Sequence, residues 1–482
     1  MGNVAKNSSL YLLSTVALKA TSFLLLPFYS YLITPDVYGR VFVANALMTF
    51  LSMLMPMALN SSVHRYFFEC KSLKEERLLY STVVWAATVF VVIFASAMLI
   101  PIKFWSGVFE IPSLYILIAT LSATLQVYYS IITSYLYAKQ QAKAISIVTI
   151  IVGVVQIVVQ LILVINMEDK AMALLLTFLI NSSVSFCVFL YFSRQYLYFG
   201  FDFSRIKQYL VFGLSQLPSD VSSKVVSLMD RFILNKFVNA AAVGLYGIGY
   251  SLASIPTIIF QSINQALVPD VFQEFGKNTP QAYKKAADKV GITFTLLTML
   301  FSFLIVFSNH IILVLSDRYK ESGTIMCLLL FALLIDTYRI LFMYPMQYNV
   351  KYVKVKSAIW VFAAILSICL NFLLIPHLSI YGAALSFIIS NTVTLLLILY
   401  FSHKAIALPY NISRLLFVFI SSIVFSLFVF TGSSFIALGI KLAASSLYCY
   451  LIYNYSIKKY TNITLSEVRT KVLSHVKFLS NK

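Results

Sequence analysis

Apolar stretches of roughly 20 residues, the length of a helix that crosses a bilayer, recur along the chain from Leu10 to Tyr455. Short polar segments separate them. Fourteen such spans are predicted: Ser9–Ile33, Val41–Val63, Leu79–Pro101, Ser113–Tyr137, Ile145–Asn166, Ala171–Phe192, Tyr209–Asn235, Val243–Val268, Gly291–Ser316, Gly323–Tyr348, Ala358–Ile375, Tyr381–Phe401, Ser413–Phe430 and Phe435–Tyr455. The spacing is too uniform for one membrane anchor attached to a soluble domain. The first stretch holds Lys19 and Pro27 and is too long for a cleavable signal. Composition agrees: 60% of the chain is hydrophobic and 11% is charged, where a soluble domain is about a quarter charged.

Charge then orients the spans. With Arg414, at the very start of the thirteenth span, counted in its loop, loops on one side carry 25 of the 36 Lys/Arg residues, loops on the other carry six, and five lie inside spans. Positive loops stay cytoplasmic, so a multi-pass protein with both termini in the cytoplasm is expected. The net charge of +19 is thereby mostly orientation, and no nucleic-acid-binding module accompanies it. The outward loops are short, the longest being Ile102 to Pro112, which leaves no room for a soluble domain. Beyond the spans, Thr464 and Glu467 form a capping box before Leu465, Val468, Val472, Val476 and Leu479 at helical spacing. A short amphipathic surface helix is expected there. A second surface helix is expected to start at Thr279-Pro280.

Two sequence matches repeat at nearly one offset. Tyr38-Gly39 recurs as Tyr246-Gly247 after 208 residues, and Tyr191-Phe192-Ser193 recurs as Tyr400-Phe401-Ser402 after 209. An even number of helices per unit makes such a duplication a parallel repeat. The expected organisation is an all-α integral membrane protein with a six-helix lobe in 1–200, a second in 201–405, helices 13 and 14 in 406–456, and a cytoplasmic amphipathic tail in 457–482.

Charges inside the spans need a separate account, because each costs at least ~2.5 kcal/mol at a helix centre. Lys19 sits mid-helix with no acid within a turn; it either pairs with an acid on another helix or forms an anion site in a cavity. Asp220 and Lys224 are four apart on one face of the least apolar span, and either neutralise each other or line water. Asp336 and Arg339, three apart, are a second potential self-neutralising pair. Asp230 and Arg231 read as interfacial, and Lys441 as able to snorkel outward. Prolines 27, 56, 218, 256 and 345 fall within spans, where they free carbonyls and permit kinks.

Catalytic signals are missing. The chain has no G-x-x-x-x-G-K-[ST], H-E-x-x-H or C-x-x-C sequence, its five cysteines are scattered without a disulfide or metal spacing, and no cofactor is implied. The sequence argues for moving something rather than transforming it. Residues 7–13 (Asn-Ser-Ser-Leu-Tyr-Leu-Leu), the run from Leu24 through Pro27 to Leu32, Tyr38-Gly39, Asp230-Arg231-Phe232-Ile233-Leu234 and Val243–Gly247 together resemble the multidrug/oligosaccharidyl-lipid/polysaccharide (MOP) exporter superfamily. Within it, the chain is similar to Wzx-type O-antigen flippases.

That resemblance implies a bacterial inner-membrane flippase for undecaprenyl-pyrophosphate-linked oligosaccharide, working by alternating access beside other polysaccharide assembly proteins. It makes Lys19, Lys224 and Arg339 candidate cations for the pyrophosphate. Asp220 and Asp336 become candidate coupling carboxylates, with H+ or Na+ as the coupling ion. A cation-coupled multidrug antiporter of the same superfamily is the alternative, and a membrane polysaccharide polymerase or ligase a more distant one.

Overall fold

The computed structural model describes residues 25–461. Lys19 and the 464–479 segment lie outside the described residues. Every regular element among the described residues is helical. Among the described residues, ten helices are long and apolar enough to cross a membrane, or eleven if Ala240–Ala253 and Ile255–Gly276 form one bent span. The Ile206–Phe237 helix is longer than most of them, but its polar and charged residues keep it outside that apolar set.

Local chemistry sets the ends of the helices. Ser72 accepts the Glu75 N–H and the Glu75 carboxylate accepts the Lys71 N–H at the start of Leu73–Leu99, a capping box. Asp169, Asn239, Asn411 and Ser434 cap in the same way by accepting N–H groups three residues on. Thr279 accepts the Ala282 N–H, as its position before Pro280 predicts. The surface helix expected there is no separate element, since Pro280–Ile312 runs unbroken into the ninth span.

Breaks fall at prolines and at one strained residue. The second predicted span divides at Pro56 into Pro35–Leu54 and Leu59–Tyr66. Pro256 and Pro345 each open a new helix after a one-residue break. Spans eleven and twelve are the two arms of Val353–Ala405, parted at Ser379, whose φ of 51° is non-helical. The Ile102–Pro112 loop folds mostly as a short helix, Ile102–Phe109.

The described chain forms two compact units. The first holds the described residues up to Leu252 with Leu313–Ile325 and Lys354–Thr394; the second holds Ala253–Ile312, Met326–Val353 and the described residues from Leu395. In the first unit, Ser113–Ala138 packs against Pro35–Leu54, Leu73–Leu99 and Lys170–Ser193. Its small residues Ala119, Ser122 and Ala123 are buried at the contact, which allows close approach. The Ala142–Asn166 helix shows the opposite face to the surroundings: Ile147, Ile150, Ile151, Val154, Val158, Ile162 and Ile165 are all exposed. An apolar stripe of this kind at helical spacing meets lipid, not water. In the second unit, Pro280–Ile312 packs against Ile255–Gly276, Ile412–Ser426 and Phe435–Ile452.

The segment joining the sixth span to the seventh is held by one helix. From Leu73–Leu99, Tyr80 shares a 2.5 Å hydrogen bond with Ser193, and Ser81 accepts the Tyr198 N–H. Thr82 accepts the Asp202 N–H, and the Trp85 indole donates to the Tyr198 carbonyl. Asp202 in turn accepts the N–H groups of Ser204 and Arg205 and the Ser204 hydroxyl. Burial opposes ionisation of this carboxylate, but the Ser204 hydroxyl, these N–H groups and the Arg205 charge outweigh it and hold its pKa below the usual value. A depressed carboxylate stabilises the fold fully above its unfolded pKa and loses that contribution as pH falls through the folded one. Asp202→Ala is therefore expected to lower stability by about 1 kcal/mol at neutral pH. The gap between variant and parent should begin to narrow only below about pH 4 and shrink further as the pH falls through the lowered folded value, read by thermal melting of the solubilised protein; a gap that does not narrow in acid removes the carboxylate from the account.

Candidate functional site

Pro56 builds the site. It ends Pro35–Leu54, and the next two residues, Met57 and Ala58, turn back through left-handed conformations with φ of 49° and 55°. Non-glycine residues held there cost of order 1–3 kcal/mol each, so close packing must hold them in place. Gly213 supplies part of it: a Cβ at that position would lie 2.7 Å from the Met57 carbonyl oxygen. Ser62 donates to the Tyr209 carbonyl at 2.8 Å and anchors the buried face of Leu59–Tyr66.

The other face of that short helix carries Asn60, Ser61, His64 and Arg65. It lines a cleft of about 790 Å³ with Ser134 and Tyr137 from Ser113–Ala138 and with Phe212, Gln216 and Asp220 from Ile206–Phe237. Phe212, Gln216 and Asp220 are spaced i, i+4, i+8, one stripe of a helix. Arg65 pairs with Glu69 at 2.8 Å with both side chains about half exposed, a contact worth ~0–1 kcal/mol. Its guanidinium is thus lightly held and accessible. Lys356, then Lys224, are the charged neighbours that act on Asp220.

Of the residues singled out in the sequence, Asp220 enters this cleft. Lys224 lies one turn on and makes no ion pair with Asp220. It lines a separate, mainly apolar cleft of about 350 Å³ with Phe50, Phe109, Phe232 and Phe372. Asp336 and Arg339, in the second unit, hold each other in an ion pair with Arg339 buried, the self-neutralised arrangement their spacing allowed. Asp230 and Arg231, read as interfacial, are both buried; Arg231 donates to Asp230 and to the Ser227 carbonyl and lies over the Tyr250 ring. Lys441, read as snorkelling outward, is fully buried, its ammonium donating to the Gly432 carbonyl at 2.7 Å with His310 alongside. That carbonyl gives the charge a dipole that solvent would otherwise supply. Asn60 and Ser61 read in the sequence as the tail of the second span, and His64 and Arg65 as the start of the basic loop after it, so nothing beyond Pro56 marked the four as one face. Among the described residues no three His, Cys, Asp or Glu side chains converge as metal ligands.

At the Lys/Arg-poor end of the first unit, helix ends from the two halves of the sequence meet backbone to backbone. A Cβ on Gly39 would fall 1.6 Å from the Ala240 oxygen, and one on Gly244 would fall 1.9 Å from the Pro35 oxygen. The recurrent Tyr-Gly pairs thus sit on two helices that interlock at their starts. Tyr319 donates to the Ile33 carbonyl, Ser322 to the Leu245 carbonyl and Asn235 to the Phe109 carbonyl around the same contact.

This bundle with a polar cleft has known counterparts. The pattern of the polysaccharide biosynthesis protein family matches residues 30–324. The chain belongs to that family. Its fold is that of solved MOP-superfamily transporters. The lipid II flippase MurJ in an inward closed conformation is similar with a TM-score of 0.71 at 14% identity, over 94% of this chain and 98% of that one. An inward-facing multidrug resistance MATE family transporter gives 0.63 at 11% identity, over 82% and 98%. A teichuronic acid biosynthesis protein, TuaB of Bacillus subtilis (strain 168), is 30% identical over 80 residues. That match spans 17% of this chain and only 16% of the relative. This polysaccharide biosynthesis protein is thus a multi-pass, all-helical membrane protein whose structural relatives move substrates rather than catalyse reactions. The polysaccharide family and the exporter fold expected from the sequence both hold.

Proposed function

We propose that the chain is a flippase that carries an undecaprenyl-pyrophosphate-linked oligosaccharide, such as an O-antigen unit, across a bacterial inner membrane by alternating access, both termini being cytoplasmic. The observation that carries the reading is the cleft where Arg65 and His64 face Asp220 inside a lipid-facing bundle. A diphosphate needs fork-like cationic donors, which Arg65 supplies. Sugar hydroxyls need planar amides and hydroxyls, which Asn60, Gln216, Ser61 and Ser134 supply. Asp220 beside an entering diphosphate raises a like-charge penalty, and uptake of one H+ or Na+ relieves it. That penalty is a physical basis for coupling. Lys19, outside the described residues, and Lys224 are further cations for the path; in this reading Arg339 and Asp336 serve as a paired structural charge. The six-plus-six-plus-two organisation belongs to the same proposal.

Replacing Lys19 with Ala is expected to abolish surface polysaccharide while membrane protein stays at its normal level. Wild-type polysaccharide in that variant would remove Lys19 from the mechanism. Dye efflux by the intact protein in cells lacking other pumps, with no effect on surface glycan, would replace this reading with that of the cation-coupled antiporter.

A further inference from the structure

The second unit holds a groove of about 540 Å³ between Pro280–Ile312, Ser322–Phe342, the end of Val353–Ala405 and the start of Ile412–Ser426. Its walls are apolar, and Leu396, Leu399 and Leu416 are exposed along it. Polar groups gather at the end with the basic loops, where His403 and Tyr410 line it. The Tyr410 hydroxyl is shielded from solvent and has no hydrogen-bond partner among the described residues. A buried hydroxyl left so is costly, and an occupant's polar atom would satisfy it.

Charge in the segment that forms this mouth has one sign, while Asp288 on the Pro280–Ile312 wall acts on Tyr460, the ring beneath Arg414. Residues 395–420 contain His403, Lys404 and Arg414 and neither Asp nor Glu. Lys404 rests over the Tyr400 ring and Arg414 over the Tyr460 ring, and neither forms an ion pair among the described residues. An apolar slot that leads to an excess of cations matches an amphiphile with an anionic head. The groove's volume suits one fatty acyl chain and is far too small for a long polyprenyl tail.

We propose that this groove is a site for one anionic phospholipid. An acyl chain lies along Leu396, Leu399 and Leu416, an ester carbonyl accepts from Tyr410, and the phosphate meets His403, Lys404 and Arg414. The site is separate from the cleft of the first unit and does not depend on the transport substrate.

Native mass spectrometry of the full chain, offered phosphatidylglycerol and phosphatidylcholine in equal amounts, tests this. One phosphatidylglycerol per chain is expected to survive detergent removal, with a preference of at least tenfold. Leu399→Trp should expel it. Lys404→Ala and Arg414→Ala should each weaken the preference about fivefold, the scale of one basic side chain at a charged lipid surface. Equal retention of both lipids overturns the proposal, as does no retention. Displacement by an equal amount of a polyprenyl phosphate also overturns it and gives the groove to the transport substrate. Should Leu399→Trp fail to fold, the competition on the unaltered protein decides alone.

Discussion

Replacing Arg65 with Ala, or Asp220 with Asn, is expected to cut surface polysaccharide tenfold or more while the protein remains in the membrane at its normal level. A hydrogen bond to a charged group contributes about 1.5–3 kcal/mol, which is about 10- to 150-fold in an equilibrium. Stability will not confound the Arg65 result. Its exposed pair with Glu69 is worth little, so Glu69→Gln should leave both polysaccharide and protein level nearly unchanged. Arg65→Lys should recover only part of the loss, because an ammonium keeps the charge but lacks the planar fork that matches a diphosphate. The two primary variants should differ in kind. Loss of Arg65 weakens capture, so more lipid-linked donor should partly restore output. Loss of the Asp220 charge removes the group whose neutralisation couples entry to an ion, so output should stop responding to the ion gradient. Normal polysaccharide in both variants would take this cleft out of the transport path.

The second large effect is expected at the glycine contact. Gly39→Ala and Gly244→Ala each place a methyl group inside van der Waals range of a backbone oxygen, and a carbonyl cannot swing aside as a flexible side chain can. Overpacking of this kind costs typically 1–3 kcal/mol. The interlocked helix ends should therefore part. Val43, one turn further along and fully buried, reports the change: in a Val43→Cys background, labelling by a membrane-impermeant thiol reagent should rise several-fold. Gly107→Ala is the internal control. Its Cβ meets nothing within 4 Å, and in a helix alanine is favoured over glycine, so neither labelling nor stability should suffer. Unchanged labelling in both Gly39→Ala and Gly244→Ala, with the protein intact, would mean that the helix ends relax around the added methyl.

Particular residues divide what could be read along the chain from what could not. Thr279 caps its helix because a hydroxyl three residues before an N–H reaches it in any sequence context. Spans eleven and twelve part near Pro376 because the hydrophobic run is interrupted there, although the break itself falls at Ser379. By contrast, the sequence offers no cue that Lys441 would be covered, since burial brings His310 from a distant helix beside the Gly432 turn that leads into Lys441's own helix. Asp230 and Arg231 differ from the interfacial reading for the same reason: Tyr250 lies over the guanidinium only once the next helix has folded back.

By itself the sequence determined the membrane environment, the helical class, the asymmetry of the loops and the candidate charges, because each follows from local composition and from the cost of polar groups in hydrocarbon. The tertiary structure alone decided which of those charges share a cavity. Asp220 meets His64 and Arg65 across more than 150 residues of chain only because Pro56 turns a short helix aside and Gly213 lets a second backbone close on the turn. Such meetings depend on packing between distant segments, and hydropathy, being a sum over neighbours, carries no term for them.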